Sequence, residues 1–113
     1  MGRSTALTLA GRGADVVLNY GTHRRGAKAA QAAKAVEKAV RDLGRRAIIV
    51  QADTTNADEV RAMVDTAVRE LGKIDILVNN AGGDWGIRDY TEIDPEHWRQ
   101  VLAAEIDGAF LTT

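Results

Sequence analysis

Three short stretches of the sequence combine small residues with side chains that can donate or accept hydrogen bonds. They are Asn19-Tyr20-Gly21, Asp53-Thr54 and residues 79–83, which read NNAGG. Small residues allow a backbone to approach a ligand closely, and amide, hydroxyl and carboxylate groups can then hold that ligand by hydrogen bonds. If the fold brings the three stretches together, they predict a ligand-binding site.

Each stretch also has a simpler structural explanation. Asn79 and Asn80 could form a turn, because asparagine tolerates left-handed backbone dihedrals. Asp53 and Thr54 could satisfy the backbone amides that precede the next helix. Trp85, in a glycine-rich segment past the third predicted strand, either lines a pocket or packs locally. Taken singly, the polar stretches are better explained in this way; taken together at one edge of a sheet, they favour a ligand.

The elements that must position these stretches alternate between helices and strands. Nearly continuous apolar runs read DVVL, AIIV and IDILV, as in strands that are covered on both faces. They predict three parallel strands, at about 14–20, 46–51 and 74–79. Helices would supply the crossovers, so the expected fold class is α/β, a doubly wound parallel sheet. Because ligands bind beyond the carboxyl ends of such strands, we expect Asn19, Asp53 and Asn79 to open onto one edge.

Helical spacing and end signals predict the helices between the strands. An alanine-rich helix has an apolar stripe formed by Ala29, Ala33, Val36, Val40 and Leu43. The next helix begins at Asn56, which has capping-box spacing to Glu59, and stops at Gly72. A further helix begins at Asp94-Pro95. Its apolar positions, expected to face inward, are Trp98, Val101, Leu102 and Ile106.

The composition excludes several classes of function. The chain has 113 residues, no cysteine and a formal net charge of −1. We therefore expect no disulfide or thiolate chemistry and no general attraction to nucleic acid. No apolar run is long enough to cross a bilayer, and His23 and His97 have no partner at a metal-ligand spacing. The expectation is a cytoplasmic protein that binds no metal, nucleic acid or membrane.

Four segments carry a resemblance to a known family. IDILVNNAGG, at 74–83, is similar to the Asn-Asn-Ala-Gly strand end of the short-chain dehydrogenases/reductases. GRGADVVLNY resembles the turn and second strand of that family, and QADTTNADEV resembles its third strand and the Asp that follows. PEHWRQVLAAEIDGAFLTT resembles the helix after its substrate loop. The similarity covers the whole chain in order and is closest to the 3-oxoacyl-(acyl carrier protein) reductase-like branch.

The resemblance implies a partial dinucleotide-binding domain, with a Rossmann-like fold, over residues 1–113. Met1-Gly2 is similar to the end of the family's glycine-rich loop, so we expect the first strand and the earlier glycines to lie upstream. That strand would be central and would pair with the strands at 14–20 and 74–79. A catalytic Ser, Tyr and Lys are expected downstream. The parent protein is expected to be a homo-oligomer that acts on a small carbonyl compound or alcohol.

The resemblance also assigns the adenosine half of a cofactor site. Gly2 would be the last glycine of the pyrophosphate loop, with backbone amides and the helix dipole facing phosphate. Asn19 and Tyr20 would flank the adenosine ribose. Asp53, with Thr54 beside it, would accept a hydrogen bond from the adenine amino group. The residues that run past the ribose would be Asn79, Ala81 and Gly82.

The cofactor implied is NADP or NAD, and the residues favour NADP(H). A carboxylate at the end of the family's second strand would bond the ribose 2′-hydroxyl and select NAD. Asn19 and Tyr20 stand there instead. Arg24 and Arg25 follow closely and could meet a 2′-phosphate, although arginine at a helix start can simply be solvated.

No catalytic residue is assigned within this chain. The only serine is Ser4, and neither Tyr20 nor Tyr90 is followed four residues later by lysine. Glu105 stands where the family has the Asn of its proton relay. We expect part of an NAD(P)-dependent oxidoreductase that does not transfer hydride on its own. The alternatives are a non-catalytic nucleotide-binding or subunit-interaction module and an unrelated flavodoxin-like α/β domain.

Overall fold

The structure, a computed structural model, describes residues 1–21, 26–83 and 89–113. Its elements in order are α1 (Gly2–Gly11), β1 (Val16–Tyr20), α2 (Gly26–Asp42), β2 (Ala47–Gln51), α3 (Ala57–Leu71), a 3₁₀ turn (Tyr90–Glu92), α4 (Pro95–Leu102), a π turn (Ala103–Asp107) and α5 (Gly108–Thr112). Four residues named above, His23, Arg24, Arg25 and Trp85, lie outside the described residues. Helices and strands alternate through β2 and α3, as predicted.

The two strands form a parallel pair. Val16 lies opposite Ala47, and Tyr20 lies opposite Gln51. The crossover that parallel neighbours require is α2. The ladder extends beyond the strands at the carboxyl end, where the Ala52 N–H donates to the Tyr20 carbonyl at 3.1 Å. The first two predicted strands are confirmed, each one or two residues shorter at its start.

The prediction of a third strand at 74–79 is wrong for this structure. Within the described part of the chain, residues 73–83 join no strand ladder. A strand persists through backbone hydrogen bonds to a neighbour, and no described strand lies beside this segment. Its apolar side chains are also uncovered, with exposed fractions between 47% and 59% for Ile74, Ile76, Leu77 and Val78. The apolar run therefore identifies a segment that is suited to the interior of a sheet, but it does not identify the strands with which that segment would pair.

The main core lies where α1 and α2 pack together over the two strands. Its buried residues are Ala6, Ala10, Val36, Val40 and Ala47, with Leu7, Val16 and Leu18 packed against them. Outside this core, α3 packs against β2 and buries Val60 and Ala67. Alanine and valine bury little apolar surface each, so this core stabilises the fold less than one of larger aliphatic side chains would. The Cα radius of gyration, 15.2 Å, exceeds the roughly 13 Å expected of a compact chain of similar length.

Two predicted apolar stripes are only partly buried. At the end of the stripe on α2, Leu43 is 51% exposed. On the helix that begins at Pro95, Trp98 and Ile106 are 54% and 60% exposed, so the prediction that they face inward is wrong. Val101 and Leu102 are half-buried. Helical spacing identifies an apolar face but not what covers it, and among the described elements α4 contacts chiefly the π turn, which continues the same helix.

The predicted helix ends are confirmed. Asn56 precedes α3, and its side-chain oxygen accepts the Glu59 N–H at 3.3 Å. Gly72 ends α3 in the left-handed conformation, with φ of 91°, which glycine adopts without steric cost. Asp94 precedes α4, and its carboxylate accepts the His97 N–H at 2.7 Å. These signals act over three or four residues, which is why the sequence alone predicts them.

Asp15 links the starts of the two strands, and we expect it to make stability depend on pH. The Arg46 N–H donates to its carboxylate at 2.9 Å, and the Arg45 guanidinium lies 2.7 Å from the same oxygen. The Arg46 N–H, and then the Arg45 charge, hold the pKa of Asp15 below its usual value of 3.8. A group whose pKa is lower in the folded state stabilises the fold above its unfolded pKa, and this stabilisation is lost as the pH falls through the folded value.

We therefore expect Asp15→Asn to lower the Tm at neutral pH and to have no such effect near pH 2. The measurement is thermal unfolding followed by circular dichroism at both pH values. Asp42→Asn is the control, because Asp42 forms an exposed i,i+4 pair with Lys38 that should contribute little. An Asp15→Asn effect that is the same at both pH values would contradict the electrostatic explanation.

Candidate functional site

The carboxyl ends of β1 and β2 are joined by the side chain of Asn19. Its Nδ2 donates to the Ala52 carbonyl at 3.1 Å and more weakly to the Val50 carbonyl at 3.4 Å. The neighbouring Tyr20 hydroxyl lies 3.3 Å from Gln51 Oε1, to which it donates. Both residues predicted to flank a ribose therefore lie at the sheet edge, and both also hold the two strand ends together.

Asp53 follows β2 and shapes the turn into α3. Its Oδ1 accepts hydrogen bonds from the Thr55 N–H at 2.9 Å and from the Thr55 hydroxyl at 2.7 Å. Its own N–H donates to Glu59 Oε2 at 2.8 Å. Asp53 thus does what the simpler explanation predicted, since it satisfies amides before the helix. The contact of its carboxylate with adenine stays a prediction.

A cleft of about 110 Å³ lies beyond the end of β2. Its lining residues are Thr54, Asn79, Ala81, Glu105, Gly108 and Ala109. The cleft thus brings together the end of β2, the segment 79–83 and the start of α5. Gly108 is buried, and a Cβ at that position would lie 3.1 Å from Thr54 Oγ1. The absence of a side chain at Gly108 therefore allows α5 to approach the turn after β2.

Asn79 attaches the segment 79–83 to α5. The Thr112 hydroxyl donates to Asn79 Oδ1 at 2.7 Å, and Asn79 Nδ2 donates to the Thr113 hydroxyl at 3.3 Å. The Asn79 side chain therefore positions the backbone of the residues that follow it, including Ala81. Thr112 and Thr113 could not be predicted as partners of Asn79 from the sequence, because they are more than thirty residues away and no local pattern marks them.

The N-terminus of α1 lies against the same segment. A Cβ at Gly2 would lie 2.9 Å from Asn80 Nδ2, so the Asn80 side chain lies against residue 2 because that residue is glycine. Met1 is the N-cap, and within the described part of the chain it makes no side-chain capping bond and no acidic residue follows in the first turn. The first amides of an α-helix lack intrahelical acceptors, and the helix dipole favours an anion there. This end of α1 suits a phosphate group.

The π turn at Ala103–Asp107 directs Glu105 towards the segment 79–83. The Gly108 N–H donates to the Ala103 carbonyl, five residues back, instead of the usual four. Glu105 Oε1 accepts the Gly83 N–H at 2.8 Å. Such turns are rare and occur frequently at functional sites. In the sequence, Glu105 is marked only as a departure from a family pattern.

Most of the predicted site residues are thus brought to one edge. Asn19 and Asp53 lie at the ends of β1 and β2, Thr54 and Asn79 line one cleft, and Gly2 lies against Asn80. Among residues 1–21, 26–83 and 89–113, no group of three or more His, Cys, Asp or Glu side chains could hold a metal ion. Over the same part of the chain, no helix combines the length and apolar character needed to cross a membrane.

A family model described as short chain dehydrogenase matches residues 1–113, the entire chain. The chain belongs to the short-chain dehydrogenase/reductase family. The resemblance inferred from the four sequence segments is therefore confirmed, and so is the α/β, Rossmann-like fold class. Membership of this family also removes the flavodoxin-like alternative.

The chain is similar to curated enzymes of this family and to related proteins of known structure. The chain is 39% identical over 115 aligned residues to a 3-oxoacyl-[acyl-carrier-protein] reductase of Synechocystis sp., covering 100% of this chain and 43% of the relative. A dehydrogenase from Burkholderia cenocepacia with bound NADP superposes with a TM-score of 0.87 at 32% identity, over 98% of this chain and 40% of that one. An NADH-dependent reductase, A1-R′, complexed with NAD gives a TM-score of 0.81 at 28% identity, over 99% and 44%. The chain spans about two fifths of the length of the curated relatives it matches.

Proposed function

We propose that residues 1–113 form the adenosine-binding half of the cofactor site in an NAD(P)-dependent oxidoreductase. The reaction would be reduction of a small carbonyl compound or oxidation of the corresponding alcohol. The observation that carries this proposal is the meeting of the two strand ends, the segment 79–83 and the N-terminus of α1 at one edge. Relatives in the same family bind NADP in one solved structure and NAD in another.

The residues present fit the adenosine and pyrophosphate parts of such a cofactor. Gly2 would place the first amides of α1 against the pyrophosphate, because no Cβ stands in the way. Asn19 and Tyr20 would flank the ribose, and Asp53 and Thr54 would contact adenine. The backbone from Asn79 to Ala81 and Gly82 would run along the ribose, held by the bond between Asn79 and Thr112. The nicotinamide, when bound, supplies or accepts the hydride.

Titration of the isotopically labelled chain with NADP⁺ tests this proposal. We expect the amide resonances of Gly2, Thr54, Ala81 and Gly82 to shift with a common dissociation constant, and those of α3 beyond its first turn to stay unchanged. Binding should be weak, since most of the amides that cradle a pyrophosphate are expected to lie upstream. Shifts confined to residues away from the sheet edge would contradict the proposal.

A pair of glycine variants sharpens that test. Gly2→Val should raise the dissociation constant for NADP⁺ by at least about tenfold, or about 1.4 kcal/mol, because the side chain would cover the first amides of α1. Gly11→Val is the matched control, since Gly11 ends the same helix and a Cβ there meets no atom within 4 Å. Equal effects of the two variants would indicate helix destabilisation rather than a lost phosphate contact.

The cofactor preference proposed is NADP(H) over NAD(H). Asn19 and Tyr20, and no carboxylate, stand at the end of β1, so the group that would select a ribose 2′-hydroxyl is missing from that position. We expect NADP⁺ to bind at least about tenfold more tightly than NAD⁺, and Arg24→Ala with Arg25→Ala to remove most of that preference. Tighter binding of NAD⁺ would reverse the assignment.

The remaining alternative is a non-catalytic nucleotide-binding or subunit-interaction module, and the enzymatic activities of the relatives favour the oxidoreductase. We also propose that the parent protein is cytoplasmic. These 113 residues contain no cysteine and therefore no disulfide, as is usual for proteins of that compartment. The further proposal of a homo-oligomeric parent protein rests on the family resemblance alone.

A further inference from the structure

Glu105 contacts two consecutive glycines, Gly82 and Gly83, that lie far earlier in the chain. Its Oε1 accepts the Gly83 N–H at 2.8 Å. Both of its carboxylate oxygens lie 3.0 Å from the position that a Cβ on Gly82 would occupy. The carboxylate therefore lies directly over the backbone of Gly82 and Gly83.

The contact matches the chemistry of both partners. An ionised carboxylate can only accept hydrogen bonds, and a backbone N–H can only donate them. A bond between an ionised acceptor and an amide is stronger than one between neutral groups. A methyl carbon at residue 82 would lie 3.0 Å from both carboxylate oxygens, closer than ordinary van der Waals contact, so Glu105 would have to shift to admit it. Glu105 and Gly82 are thus a matched pair.

The π turn determines which residue reaches the glycines. Glu105 lies in the middle of that turn, directly before α5, and α5 is held by two other contacts. Gly108 packs against Thr54, and Thr112 bonds to Asn79. The carboxylate therefore projects from a helix that is already attached to both neighbouring segments of the cleft. A side chain held in this way can fix the backbone that it bonds.

We infer that Glu105 is a positioning residue, whose carboxylate clamps the Gly82–Gly83 backbone at the edge of the cleft and thereby increases affinity for the cofactor. The second half of this inference rests on the proposed function, which places Gly82 along the ribose. Glu105 acts through the glycine backbone that it contacts. It replaces the Asn that the family resemblance assigns to a proton relay at this position.

The test uses the labelled chain and two measurements, the exchange rate of the Gly83 amide without ligand and the dissociation constant for NADP⁺. Glu105→Ala should speed Gly83 exchange by at least about fivefold, because the amide loses its acceptor, and should weaken NADP⁺ binding. Glu105→Gln keeps the length and one acceptor oxygen, so it should restore most of both properties. Glu96→Ala is the control, since Glu96 is an exposed acid on α4 that contacts Gln100.

A double-mutant cycle tests the pairing. Gly82→Ala should weaken NADP⁺ binding in the presence of Glu105 and have a much smaller effect in the Glu105→Ala background, where the methyl group meets no carboxylate. Unchanged Gly83 exchange in Glu105→Ala would overturn the clamp. Faster exchange with an unchanged dissociation constant would overturn the link to affinity. If the unmodified chain bound no NADP⁺, the proposed function would fail, while the exchange rates would still decide whether the clamp exists.

Discussion

The 113-residue chain, assayed with NADPH and a panel of carbonyl compounds, should give no turnover comparable with that of a longer protein. Hydride transfer to a carbonyl needs a proton donor beside the reacting oxygen, with a pKa tuned towards neutrality. Ser4 lies in α1, and the Tyr20 hydroxyl donates to Gln51, so neither is placed for this task. Glu105 is no substitute, because an ionised carboxylate would repel a developing alkoxide.

The comparison protein should be the Synechocystis reductase in which these 113 residues replace the matching segment. There the family's Tyr and Lys would be supplied by the remainder of the relative. Loss of acid–base help alone typically costs about 10²–10⁴-fold in rate, and the missing nicotinamide pocket should lower the rate of the short chain further. If the short chain turned over at a rate near that of the hybrid, the active site would lie within these residues.

The second large effect expected is self-association of the isolated chain. The segment 74–78 carries apolar side chains that are about half exposed, and no described strand pairs with its backbone. Unpaired backbone beside exposed apolar side chains favours pairing with another chain. The small alanine and valine core gives little stability to oppose such a rearrangement. We expect dimers or larger species by analytical ultracentrifugation, and unfolding with weak cooperativity.

One substitution should reverse this behaviour. Leu77→Lys should shift the chain towards monomer, because a charge on an exposed strand-like segment opposes edge pairing. Leu43→Lys is the matched control, since Leu43 is 51% exposed and Leu77 is 50% exposed, but Leu43 follows the end of α2. A clean monomer that unfolds cooperatively with ordinary stability, before any substitution, would refute the expectation.

The sequence predicted those parts of the fold that depend on short-range patterns. Uninterrupted apolar runs identified β1 and β2, and capping residues identified the starts of α3 and α4 at Asn56 and Asp94. The prediction of a third strand was wrong because strand formation depends on long-range pairing. A ladder requires a neighbour, and residues 74–79 have none among the described strands. The prediction that Trp98 faces inward was wrong for a similar reason, because spacing identifies its helical face but not what covers that face.

The candidate site likewise has features that the sequence predicts and features that it does not. The strand ends that bear Asn19, Asp53 and Asn79 could be located from the sequence, because carboxyl ends of parallel strands share an edge. The bonds from Thr112 to Asn79 and from the Gly83 amide to Glu105 could not, because they join residues far apart and depend on a π turn. No single-sequence signal marks that turn. The binding roles of the site residues stay predictions.

The π turn also sets the phase of the helix that runs from Pro95 to Thr112. In an uninterrupted α-helix, which advances about 100° per residue, positions 98 and 110 would point about 120° apart. One extra residue in the turn removes about 100° of that difference and leaves an angle of about 20° between Trp98 and Phe110, which are 54% and 80% exposed. Deleting one residue from 103–107 would rotate α5 by about 100° and move Thr112 away from Asn79. The number of residues in this turn therefore determines whether α5 can reach the segment that Asn79 begins.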